Sequence, residues 1–251
     1  MDSEAVKSYY RTPSVLDHYT RATTGVGLWL SEKIAFTRHF GKRHALLELG
    51  TGTGRIALAL EKIGYEDITA IDLSEAMIGQ ALRIVEGSVG SRVRFSVADA
   101  CALPFGDNAF DGAIFGFNGM MQIPGRQKRR CALREVLRVI RPGSRFIFTT
   151  HDRDNPHHRS FWEEQGRLWA QGRQDARLED FGDRYEETPL GMLFIHIPSR
   201  QEIREDIEAA GFRYENDTPR SLLANENEIV REFADDCRFW IVRKPKSATG
   251  E

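Results

Sequence analysis

Three glycines at alternating positions, Gly50, Gly52 and Gly54, stand between an apolar run (Leu46, Leu47, Glu48, Leu49) and a helix-like stretch over residues 55–63. Glycine permits positive φ and lets a ligand come close to the backbone, so this spacing describes a binding loop. The helix start behind it offers unpaired N–H groups to anionic or polar ligand atoms. Gly-x-Gly-x-Gly is not the Gly-x-Gly-x-x-Gly that seats a pyrophosphate against a helix end, which argues against a nicotinamide dinucleotide. Two carboxylates close further apolar runs. Asp72 follows Ile68-Thr69-Ala70-Ile71, 22 residues after Gly50, and is placed to bind the two hydroxyls of a ribose. Asp99 follows residues 93–98; an acid there accepts from an adenine amino group, and small Ala100 leaves room for the ring.

The elements that must position these groups are legible in outline. Residues 110–118 read as a fourth strand ending in Asn118, and residues 138–148 as the end of a helix, a turn and a fifth strand. Helices are expected over 55–63, 75–86 (with Ser74 as N-cap) and 125–140. Strand and helix alternate with short loops, which implies a parallel sheet with right-handed crossovers. Ligands then bind outside the C-terminal ends of the strands, where Gly50, Gly52, Gly54, Asp72, Asp99 and Asn118 converge.

This ordered set closely resembles the class I S-adenosylmethionine-dependent methyltransferases over residues 40–150, and more loosely beyond. Glu48-Leu-Gly-Thr-Gly-Thr-Gly54 is similar to their first motif, Asp72 to their ribose acid and Asp99 to their adenine-side acid. Arg141-Pro142-Gly143-Ser144 is similar to the turn before their fifth strand, with Ser144 where glycine is more usual. The resemblance implies an α/β fold with a doubly wound, mostly parallel seven-stranded sheet, an N-terminal helical lid and an insertion after the fifth strand. The implied division is a lid (1–44), a cofactor-binding core (45–150), a cap (151–198), completion of the sheet (199–245) and a frayed tail (246–251). It also implies S-adenosylmethionine as cofactor and a small-molecule acceptor. Backbone contacts fall to Glu48, Gly50, Thr51, Gly52 and Gly54, with Glu48 also reaching the methionyl amino group through water. Leu73 and Met77 pack near the adenine, Asp99 and Ala100 hold its exocyclic amine, and Phe115 lies beneath the methionine tail with Gly116 and Phe117. The Asn-Pro-Pro-Tyr tetrad of amino methylation is missing, since Gly116-Phe117-Asn118-Gly119-Met120 follows the fourth strand.

The acceptor side is less determined, because a sulfonium methyl group is already activated and alignment is the main requirement. If a base is used, His151 is the candidate, with Asp152 orienting it and Asn118 positioning the acceptor. His157 and His158 are alternatives, as are Tyr9, Tyr10 and Tyr19. The region before the first strand carries these tyrosines and Trp29, expected on helices over 14–20 and 26–40, with Glu32 and Arg38 facing water. Residues 151–158 hold three histidines and two aspartates at no recognised ligand spacing, so a polar substrate-side loop is expected rather than a metal. The run 174–189 reads as an exposed loop. Residues 191–197 read as an added strand on which His196 faces solvent or substrate, and Ser199-Arg200-Gln201-Glu202 as a capping box. Residues 212–217 and 238–243 read as a final antiparallel pair around a long excursion.

Bulk properties narrow the field. The chain has 251 residues, 41 % of them hydrophobic, which fits one large α/β domain with additions. With 35 basic and 37 acidic residues there is no global attraction to nucleic acid. The basic cluster Arg126, Lys128, Arg129, Arg130, Arg134 shares a helix with regularly spaced apolar residues and reads as its solvated face. Three scattered cysteines read as reduced thiols of a cytoplasmic protein, and no apolar run reaches the ~20 residues of a membrane span. A methyltransferase acting on RNA or protein, or a module that holds the cofactor without turnover, is the alternative.

Overall fold

The computed structural model describes residues 3–87 and 90–246, with side chains from Val6 onward. The end of the expected tail, residues 247–251, lies outside them. Strands β1 (Ala45–Leu49), β2 (Asp67–Asp72), β3 (Arg94–Val97), β4 (Phe110–Phe115) and β5 (Ile140–Thr150) pair in parallel. β8 (Arg213–Pro219) and β9 (Arg238–Arg243) add antiparallel at the β5 edge, giving the order β3-β2-β1-β4-β5-β9-β8. This is the expected doubly wound seven-stranded sheet. The chain runs outward from β1 to β3 and then returns to β4 on the other side of β1. That reversal opens a crevice at the carboxyl ends of β1 and β4, the place where such sheets bind ligands.

Side chains alternate across the pleat and feed two apolar layers. Leu47, Leu49, Phe146, Phe148 and Trp240 face α6 (Arg126–Val139) and α8 (Arg200–Ala210). Leu46, Ile68, Ile114, Ile147 and Phe239 face α3 (Leu30–His39) and α4 (Arg55–Lys62). Burying each such side chain is worth roughly 1.5–3 kcal/mol, so these layers hold the crevice walls rigid. The remaining core helix, α5 (Glu75–Glu86), is capped by Ser74, whose hydroxyl accepts from the Met77 amide at 3.3 Å.

Ahead of the sheet come α1 (Ser3–Tyr10), α2 (Pro13–Arg21), which is the helix expected over 14–20, and a π-helical turn over Ala22–Val26; the helix expected over 26–40 is α3, which starts only at Leu30. After β5 and α7 (Arg159–Ala170) comes a separate hairpin of β6 (Asp183–Thr188) and β7 (Gly191–His196). The run read as an exposed loop therefore contains a strand. Its polarity misled because Asp183 is paired opposite His196 and is itself buried. Between β8 and β9 the chain forms α9 (Arg220–Leu223) and α10 (Glu228–Phe233), the expected long excursion. Arg141 to Ser144 is a kink inside β5 rather than a turn before it, with Gly143 at φ 84°.

Two charge assignments need correction. Of the basic cluster on α6 only Lys128 and Arg134 are exposed as expected, and the other three residues are paired. Arg126 and Arg130 pair with Asp206 at 2.8 and 2.7 Å, and buried Arg129 reaches Asp180 at 3.2 Å. Glu32 does not face water either; it is 1 % exposed and paired with Arg55. Glu226 comes from the excursion to accept from the Leu30 and Ser31 amides at 3.0 and 2.8 Å, capping α3. Among the described residues no helix is long and apolar enough to cross a membrane, and the three cysteines are free.

Candidate active site

Gly50, Gly52 and Gly54 adopt φ of 62°, 56° and 92°, the left-handed region that disfavours any side chain. A Cβ at Gly50 would lie 2.6 Å from the Phe115 ring. The loop is fastened from two sides. Asp72 accepts from the Gly52 amide through Oδ2 and from the Ser74 amide through Oδ1, both at 2.8 Å. On the other side Thr53 donates to the Tyr19 carbonyl at 2.9 Å, and its hydroxyl lies 2.6 Å from that of Thr23 in the π-helical turn. These bonds hold the Tyr19 ring above Gly52, whose added Cβ would meet it at 4.0 Å.

A cavity of about 840 Å³ opens at this loop. Of the expected cofactor residues, Gly50, Gly52, Asp72, Leu73, Met77, Asp99, Ala100 and Phe115 line it. Asp99 is itself anchored, accepting from the Cys101 amide at 2.8 Å. A smaller compartment of about 370 Å³ adjoins it and is lined by Glu48, Thr51 and Arg55. The two spaces share Tyr19, Gly50, Gly52, Gly116 and Phe117 as a neck. Gly54 lines neither; it starts α4 and packs under Phe95.

The electrostatics of the smaller compartment are set by burial. Arg55 holds Glu32 through two bonds of 2.7 and 2.6 Å, donates to the Gly27 carbonyl, and lies 4.8 Å from the centre of the Trp29 ring. Glu48 accepts from the Thr51 hydroxyl at 2.9 Å, and burial pushes its carboxyl up to about 8 against the weaker pulls of Thr51, Arg55 and the Ala57 backbone. The folded chain therefore keeps a proton that the unfolded chain has released above its ordinary value. Stability falls as pH rises from about 4.5 to about 8, by up to roughly 1.4 kcal/mol per unit from this group. Denaturant titrations at both ends of that window should show Glu48→Gln losing less stability than wild type. Equal losses would contradict the assignment.

On the acceptor side, Phe117 and Asn118 follow β4 with φ of 48° and 59°. Such strain persists only where the surroundings impose it. Here the Phe117 ring is held among Trp29, Tyr19 and Phe233, and the Asn118 amide donates to the Thr149 hydroxyl at 2.8 Å. The Asn118 side chain turns away from the cavity to place Nδ2 3.3 Å from Nε2 of His151, leaving its buried Oδ1 without a partner. His151 Nδ1 lies 3.0 Å from the Asp236 carbonyl, which fixes the tautomer with the proton on Nδ1 and the lone pair on Nε2. Asp152 does not orient His151. It pairs with Arg238 at 2.8 Å, and Asp236 takes the orienting part.

The other expected acceptor-side residues scatter. Tyr10 and Tyr19 line the cavity, and Tyr10 donates across it to Gln122. Tyr9 stands outside, its hydroxyl 3.5 Å from that of Thr188 on the hairpin. Trp29 is core at 1 % exposure, His157 is exposed on a short turn, and His158 beside it is exposed too. His196 faces neither solvent nor substrate. It is buried with Nδ1 2.7 Å from Asp183 and Nε2 2.7 Å from Glu202, so a carboxylate holds each ring nitrogen. Asp180, Asp183 and His196 lie close enough to hold a metal ion. Asp183, however, spends its oxygens on His196 and on the Glu179 and Asp180 amides, and Asp180 accepts from Arg129. Ser199 caps α8 as expected, but the Glu202 carboxylate goes to His196 rather than back to complete the box. Arg55, Gln122 and Asp236 were not singled out in the sequence, since each acts through a partner distant along the chain.

Residues 46–143 match the family model described as a methyltransferase domain. The demethylmenaquinone methyltransferase of Lactiplantibacillus plantarum is 29 % identical over 196 residues, covering 74 % of this chain and 76 % of that protein. That of Thermus thermophilus is 40 % identical over 103 residues, covering 41 % of this chain and 44 % of its own length. The crystal structure of a SAM-dependent methyltransferase from Methanosarcina mazei superposes with a TM-score of 0.66 at 19 % identity, over 84 % of this chain and 97 % of that one. Residues 46–143 therefore carry a methyltransferase domain, and the fold is that of SAM-dependent methyltransferases of known structure. The residues present at the site fit S-adenosylmethionine. The glycine cradle has no room for a Cβ at Gly50, an anchored acid stands at the end of β2, and a second stands just beyond β3.

Proposed function

We propose that this protein moves a methyl group from S-adenosylmethionine to a small-molecule acceptor by in-line displacement. The carrying observation is the pair of joined compartments at the ends of β1, β2 and β4, with anchored acids in the larger and Glu48 and Arg55 in the smaller. The bound cofactor supplies a methyl group activated by its sulfonium. Asp72 takes the ribose, and its two amide bonds fix the carboxylate before the hydroxyls arrive. Asp99 takes the adenine amine. Glu48 and Arg55 face the ammonium and carboxylate of the amino-acid end. The neck of Tyr19, Gly50, Gly116 and Phe117 then holds the reacting centre among apolar walls that exclude water.

The lid reading rests on Val6 and Tyr10 of α1, which line the larger cavity, and on Tyr10 bridging to Gln122. Demethylated quinones, named in two relatives, suggest a ring-bearing acceptor, and Tyr10, Tyr19 and Phe117 offer ring faces for one. Three free thiols suit a reducing, cytoplasmic compartment. His151 is the proposed base for an acceptor that must lose a proton, a role that requires the Asn118 side chain to swing off its Nε2 and open it to the cavity, which neither residue lines here. His151→Ala should then lower turnover roughly 100-fold with cofactor affinity intact, and unchanged turnover would remove that role.

The cofactor assignment is tested by calorimetric titration with S-adenosylhomocysteine. Asp72→Ala should weaken binding roughly 10- to 100-fold, the worth of charge-assisted bonds to a ribose. Unchanged affinity would count against the site.

A further inference from the structure

The larger cavity does not end at the adenine-side acid. A compartment of about 750 Å³ lies between the loop after β3 and the first half of α6. It shares Val6, Leu73, Asp99, Gln122 and Ile123 with the larger cavity, so the two form one trough with Asp99 at the doorway. Its far wall is Cys101, Pro124 and Cys131, with Gln127 and Lys128 at the rim. Both thiols lie against backbone carbonyls, Cys101 Sγ 3.4 Å from that of Lys128 and Cys131 Sγ 3.3 Å from that of Cys101. Burial, with Asp99 nearby, pushes the Cys101 thiol up to about 12, so this wall stays uncharged at neutral pH.

We propose that this compartment is a binding site for an apolar substituent on the exocyclic amine of an adenosyl ligand, making N6-alkyl and N6-aryl adenosyl compounds ligands of this protein. The inference rests on the placement of adenosine in the larger cavity. An N6-substituted amine keeps one N–H, enough to donate to Asp99. Its substituent then leaves past Asp99 into space walled by Leu73, Ile123, Pro124 and the two cysteines, where apolar area is removed from water. A pocket closed around the adenine edge would instead reject the added group by overlap.

Titration with S-adenosylhomocysteine and its N6-benzyl derivative tests this. Wild type should bind the benzyl compound within about threefold of the parent, or more tightly. Cys131→Trp fills the compartment and should weaken the benzyl compound at least roughly 30-fold while leaving the parent within about threefold. Gln127→Trp, at the exposed rim, should show the same selectivity and serves if the first variant does not fold. A benzyl compound bound more than about 30-fold more weakly than the parent by wild type overturns the proposal, as does equal weakening of both ligands in a folded variant. If the parent itself does not bind, the adenosine assignment falls and this inference with it.

Discussion

Replacing Arg55 by methionine should lower the unfolding free energy by about 3–5 kcal/mol, because it strands the Glu32 carboxylate in the core. Their side chains are 8 % and 1 % exposed. Glu32 also accepts from the Trp29 amide at 2.9 Å, and Arg55 holds the Gly27 carbonyl, so the start of α3 and the π-helical turn loosen together. Removing both charges, as Glu32→Gln with Arg55→Met, should recover much of the loss, since breaking such a pair costs far more than replacing it. Urea denaturation of the three proteins measures this. A loss under about 1 kcal/mol for the single variant would show that the pair is not the buried charge centre described above.

The second large effect is expected at Gly50. Gly50→Ala forces a side chain into left-handed backbone, at a cost of about 1–2 kcal/mol, and drives its Cβ to 2.6 Å from Phe115. Either Phe115 shifts into the cavity or the loop moves off its bonds, and both should reduce affinity for S-adenosylhomocysteine at least roughly 100-fold. Adding Phe115→Leu should restore part of the affinity by removing the clash while leaving the backbone strain. An alanine variant that binds like wild type would show that the loop does not seat the ligand.

How far the site could be read ahead of the structure depended on distance along the chain. The glycine loop, Asp72 and Asp99 were legible because spacing within one strand-turn-helix unit determines where those groups emerge. The seven-stranded sheet followed from the same alternation. The partners of the charged groups were not legible. Glu32 and Arg55 are 23 residues apart, Tyr10 and Gln122 are 112 apart, and His151 meets Asp236 across 85. Nothing local marks such pairs, so Glu32 was assigned to water and His151 was given its neighbour Asp152. The same reason hid β6. A polar strand looks like a loop until the buried His196 it pairs with is known.

The central claim is methyl transfer to a small molecule, and the most direct test gives the protein S-adenosylmethionine labelled in the methyl group together with a size-fractionated cell extract. Label should appear in the small-molecule fraction, depend on the protein, and vanish with Asp72→Ala. Label confined to the RNA or protein fraction would contradict the acceptor class, and no transferred label with the cofactor demonstrably bound would contradict turnover.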